Sequence, residues 1–132
     1  MSYNFGRDEI FWRIGHEESP ELLAIIGGLD SVDFRDDNGT TYLHIAAINH
    51  KLQIIKLLLE KGADPNWQDK NGKSPILYAI GRNNKNNPEI LRLFLVHGLD
   101  LDRNEKGMSL RERIISFGNP ELNRVIEQFE KQ

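Results

Sequence analysis

The chain has 132 residues, 39% of them hydrophobic and 28% charged, with a formal net charge of −3 and no cysteine. That balance suits one globular domain and argues against a nucleic-acid binder, whose footprint would be a basic patch or stripe. No apolar run is long enough for a membrane span, no apolar signal region opens the chain, and disulfides and thiolate metal sites are excluded, so the reducing cytoplasm is the expected location. A monomer is expected, although nothing in the sequence fixes the oligomeric state.

In chain order, the first expected helix carries Ile10, Phe11, Trp12 and Ile14. A second starts at Ser19-Pro20-Glu21-Leu22 and continues through Leu23, Ile25 and Ile26. Ser accepts an orphan amide, Pro has none to lose, and Glu suits the positive end of the helix dipole. Asp36-Asp37-Asn38-Gly39 is a turn, and Thr41 is placed to cap a helix with Leu43, Ile45, Ala46 and Ala47 on its apolar face. Its partner runs from about Leu52 to Glu60, is apolar on most sides, and ends at Gly62 in a left-handed cap. The pattern then restarts at Asp69-Lys70-Asn71-Gly72 with Ser74-Pro75 opening a helix, and Asn87-Pro88-Glu89-Ile90 opening the next. The Asn-rich run from Arg82 to Asn87 cannot bury anything and reads as a longer loop. A last pair mixes Leu110, Ile114, Ile115, Leu122, Val125, Ile126 and Phe129 with many charges; Ser109 and Glu112 have capping-box spacing, and Asn119-Pro120-Glu121-Leu122 repeats the helix-start signature.

The turn glycines Gly39, Gly72 and Gly107 stand 33 and then 35 residues apart. A period of this length signals a stacked solenoid, in which each unit buries its apolar face against its neighbours. The expected fold is all-α, one domain over 1–132, with units near 3–35, 36–68, 69–103 and 104–132 joined by extended fingers. The outermost units would act as caps with one wet face.

Gly39-Thr40-Thr41-Tyr42-Leu43-His44-Ile45-Ala46-Ala47, followed by Gly62-Ala63-Asp64-Pro65-Asn66, resembles the ankyrin repeat. That pattern is Gly-x-Thr-Pro-Leu-His-x-Ala-Ala, a Leu-Leu helix, then Gly-Ala-Asp-x-Asn. Tyr42 departs from it where proline is usual, Leu77 where histidine is usual, and Ser109-Leu110-Arg111 keeps little of it. The resemblance implies a curved stack that binds another protein through finger tips and first helices. Carried over by position, the partner-facing residues are Arg35, Asp37, Asn38, Thr40, Ile48, Asn49, Gln68, Lys70, Asn71, Lys73, Gly81 and Arg82. It also implies that His44 ties its own turn together near Thr41. Small acidic chains of this kind resemble bacterial immunity proteins that block a cognate toxin; the other protein-binding reading is an adaptor or effector docking on a regulatory or host protein.

Phe34 and Trp67 occupy the same place on successive fingers. They read either as an aromatic stripe anchoring an interface or as rings each lying across its own finger stem. The first finger is acidic (Asp30, Asp33, Asp36, Asp37) and the next basic (Lys70, Lys73, Arg82, Lys85), which reads either as a steering field or as ordinary turn polarity. His16, His50 and His97 lack the close same-face spacing of a zinc site, and no nucleophile, phosphate-loop or dinucleotide motif is present. No cofactor, metal or catalytic residue is expected.

Overall fold

The computed structural model describes residues 2–132, with side chains from Glu9 onward. Its elements are α1 (Ser2–His16), α2 (Pro20–Gly27), α3 (Tyr42–Ile48), α4 (Leu52–Glu60), α5 (Pro75–Ile80), α6 (Asn87–Val96), β1 (Asn104–Glu105), β2 (Met108–Ser109), α7 (Leu110–Ser116) and α8 (Pro120–Glu130). These form four antiparallel helix pairs. The first helices α1, α3 and α5 pack side by side as an inner row, and α2, α4, α6 and α8 form an outer row behind them. Helix α7 leans instead on α8 and β2. The core runs through the stack as one ribbon, from Ile14, Leu22 and Ile26 through Leu43, Ala46, Ile54 and Leu58 to Ile76, Ile90, Phe94, Leu110 and Leu122. Ala46 and Ala47 on α3 and Ala79 on α5 are fully buried, the small side chains letting inner helices lie close.

Helix boundaries follow the capping chemistry. The Thr41 hydroxyl accepts the His44 amide, Ser19 accepts that of Leu22, Ser109 that of Glu112, and Asn119 those of Glu121 and Leu122. Gly62 closes α4 at φ +96°. Asn87 departs from the expected cap. It is the first residue of α6, is buried, and donates Nδ2 to the Arg82 carbonyl at 2.7 Å, stitching the Asn-rich loop shut. Asn84 already turns the chain by accepting the Asn86 amide, so the helix begins one residue early.

Three expected apolar positions face solvent, among them Ile25 on α2, where Leu22 and Ile26 take the buried face. Trp12 is 61% exposed and stacks on His16 with centroids 4.2 Å apart, because Ile10 and Ile14 share the buried face and position 12 lies opposite. Ile115 is 51% exposed for the same reason, with Leu110 and Ile114 facing inward.

Long-range side-chain hydrogen bonds join neighbouring units. Glu18 accepts the Ile54 amide at the start of α4, Asn66 donates to the Gly98 carbonyl and accepts the Asp100 amide, and His50 donates Nε2–H to the Ala79 carbonyl at 2.8 Å. At the far end Arg111 pairs with both Asp102 and Glu130, tying α7 to α8.

Candidate partner-binding groove

The turns before α3 and α5 share one construction. Asp36 Oδ1 accepts the amides of Asn38 and Thr40 at 2.8 and 2.9 Å, and Asp69 Oδ1 accepts those of Asn71 and Lys73 at 2.9 and 3.1 Å. Gly39 and Gly72 then sit at φ +75° and +76°. The Lys70 amide donates to the Asn38 carbonyl, so adjacent finger tips are locked together. One acid of the sequence's charge pattern, Asp36, is thus occupied in building its own turn.

Below the tips lies His44, buried and neutral. Nε2–H donates to the Lys73 carbonyl of the next unit at 3.0 Å, which leaves Nδ1 to accept from the Thr41 amide and hydroxyl at 3.2 and 2.8 Å. Burial pushes its pKa down, partly offset by the Lys73 carbonyl. His44 is a structural strut.

Between these tips and the inner helices opens a hollow of about 250 Å³ bordered by Asn38, Thr40, Ile45, Ile48, Lys70 and Asn71, with His44, Asp69 and Tyr78 completing it. Ile45 and Ile48 give it an aliphatic wall; amides, a hydroxyl and an ammonium give it a polar rim. Tyr78 donates its hydroxyl to Asp69 Oδ2, and burial followed by this bond raises the phenol's pKa against the opposing bond from Asn71. Sequence reasoning missed Tyr78. The available signal was that it aligns with Ile45, the open position of the pattern between His44 and Ala46.

The remaining expected site residues are dispersed. Lys73 and Gly81 border a second hollow, also about 250 Å³, with Leu77, Lys106, Arg113 and Phe117. Arg35 and Trp67 share a narrow cleft with Val32, Asp33, Thr41, Ala63 and Asp64, and no residue borders both it and the first hollow. The Arg35 guanidinium lies 3.7 Å from the Trp67 ring centroid, a cation–π contact between successive fingers. Phe34 is half-buried, 5.3 Å from Phe11 and 5.9 Å from Tyr42 between ring centroids. The two aromatics therefore serve different contacts. Trp67 lies beneath the preceding finger, and Phe34 belongs to a cluster with the first unit. Gln68 donates to the Asn104 carbonyl and Asn49 to its own helix at Ile45. Asp37 and Arg82 are exposed and border none of these hollows.

Among the described residues no cluster of three or more His, Asp or Glu side chains converges as a metal site, and no helix is long and apolar enough to cross a membrane.

Helix pairs stacked through finger turns, with a hollow under the tips, define a repeat-type interaction scaffold, and the family model for ankyrin repeats in three copies matches residues 12–105. The chain belongs to the ankyrin-repeat family, whose fold is a non-catalytic module for binding other proteins. It is 35% identical over 97 residues to a putative ankyrin repeat protein of Rickettsia felis, covering 69% of this chain and 43% of that protein. It is also 35% identical over 80 residues to the mouse B-cell lymphoma 3 protein homolog, covering 60% of this chain and 17% of that protein. A third similarity, 32% over 84 residues, is to human transient receptor potential cation channel subfamily A member 1, with 63% of this chain and 7% of that one covered. The chain thus spans less than half the length of these relatives.

Proposed function

We propose that this chain captures a partner protein in the groove under its finger tips, and that its particular role is that of a bacterial immunity protein neutralising a cognate toxin in the cytoplasm. The observation that carries the groove is the hollow bordered by Asn38, Thr40, Ile48, Lys70 and Asn71. An aliphatic wall inside a ring of hydrogen-bonding groups is the make-up of an interface anchor site. The first finger's Asp30, Asp33 and Asp37 are exposed and would face the basic nucleic-acid groove of such a toxin. The adaptor reading is favoured by one fact: the relatives are much longer proteins in which this module is a fraction of the chain.

One measurement tests the groove and a second separates the two readings. Replacing Ile48 and Lys70 together by Ala should weaken the complex with a partner isolated from the native lysate by about tenfold or more while helical circular dichroism is unchanged; unaltered affinity removes the groove. Co-expression with a toxin encoded beside this gene should restore growth, and failure to do so favours the adaptor.

A further inference from the structure

The inner row of helices is interrupted between α5 and α7, and the second hollow opens there. Lys73 and Lys106 stand at its finger edge, Leu77 and Phe117 form apolar walls, and Arg113 projects from α7. Three of its six bordering residues are cationic in a chain of net charge −3, so the positive charge is concentrated locally. No carboxylate borders it. The nearby acids are turned elsewhere: Glu105 is buried and accepts the Ser74 amide, Glu112 accepts the Ser109 amide in its capping box, and Asp69 accepts from Tyr78 and its own turn.

The cations are held in place. Lys106 has φ +56° in a two-residue hairpin turn with Gly107, and its stem lies against Gly72, 3.6 Å from where a Cβ would stand. A left-handed conformation is unfavourable for lysine and hairpin turns of this type favour Asn or Gly, so this residue is in place against its own backbone preference. Arg113 donates Nη2–H to the carbonyls of Glu105 and Lys106 at 2.8 and 3.4 Å, which fixes the guanidinium at the edge of the space. Lys73 lies 5.3 Å from the Tyr78 ring centroid. Phe117 is 44% exposed although it is a large aromatic at a helix end.

We propose that this second hollow receives an acidic segment of the partner protein, one carboxylate pairing among Lys73, Lys106 and Arg113 while a neighbouring apolar side chain packs against Leu77 and Phe117. The proposal rests on the groove being the partner face and names the chemistry bound at one end of it. Preorganised cations around a concave space suit a single carboxylate, and the apolar walls have no use in gripping a phosphodiester backbone, which needs a longer basic stripe.

A random peptide library displayed on phage and selected on the full chain tests this directly. Enriched sequences should carry Asp or Glu beside an aliphatic or aromatic residue, and a synthetic peptide so selected should bind K73E/K106E at least about tenfold more weakly and F117A severalfold more weakly. These residues are exposed or at the rim, and Arg113 is left intact because it braces the hairpin. Selection without acidic enrichment, or peptides that bind K73E/K106E as tightly as the wild type, would overturn the proposal. So would peptides lost only in the Ile48 and Lys70 variant, a result that keeps the groove while emptying this end of it. Lysine-dependent binding of a labelled single-stranded oligonucleotide in place of peptide would reassign the hollow to nucleic acid.

Discussion

The joint between the second and third units and the joint between the third and fourth solve one problem differently. Each inner helix opens with a buried amide that needs an acceptor. At Thr41 the acceptor is Nδ1 of His44, 3.2 Å away on the same helix, and the other ring nitrogen reaches forward to the Lys73 carbonyl. At Ser74 the histidine position holds Leu77, and the amide is taken at 3.1 Å by Glu105 reaching back from the next finger. The first latch belongs to the unit it caps; the second is lent by its neighbour. A repeat can therefore lose its signature residue and keep its architecture, provided some other acceptor arrives at the same point.

The largest effect expected is from His44→Ala, which strands the Thr41 amide and the Lys73 carbonyl and leaves a void, costing roughly 3 kcal/mol in urea unfolding. The same variant should flatten the pH dependence of stability. In the native chain burial lowers the His44 pKa from 6.5, so below that value the unfolded chain takes up a proton the folded one resists. Stability should be fully present above pH 6.5 and fall as the pH drops toward the lowered value; an equal slope in both proteins would show that other groups set it. Glu105→Ala should cost less, about 2 kcal/mol, with Glu105→Gln retaining most of the stability because an acceptor oxygen remains. Hydrogen exchange would sharpen the contrast: Glu105→Ala should raise exchange mainly in α7 and α8, His44→Ala through the middle of the stack. Uniform loss of protection in both would mean that the stack unfolds as one unit. The smallest effect concerns the third finger. Lys106→Asn relieves a left-handed lysine and should stabilise by about 0.5–1 kcal/mol, read as a higher urea midpoint; no gain would show the hairpin already relaxed.

Much of this was legible in sequence because it is local. Thr41, Ser19, Ser109 and Asn119 cap the helices their spacing indicated, and α4 spans Leu52–Glu60 as the apolar run required. What stayed hidden is contact across units. Glu105 carries no local signal of its role, although it is 1% exposed, because the residue it serves lies 31 positions away. Trp67 gave no sign that its partner is Arg35, since cation–π pairs have no sequence spacing. Asn38, Thr40, Ile48, Lys70 and Asn71 could be assembled from the repeat alignment, whereas Phe117 and Arg113 could not, because the fourth unit keeps so little of the pattern.

Among the described residues, eight side-chain hydrogen bonds span more than about 20 residues, and every one spans between 29 and 36, one repeat length and never two. Under tension applied at its ends, such a molecule has no clasp that spans the whole stack. It should pay out in hairpin-sized steps and rewind as readily, behaving as a spring whose coils let go one after another.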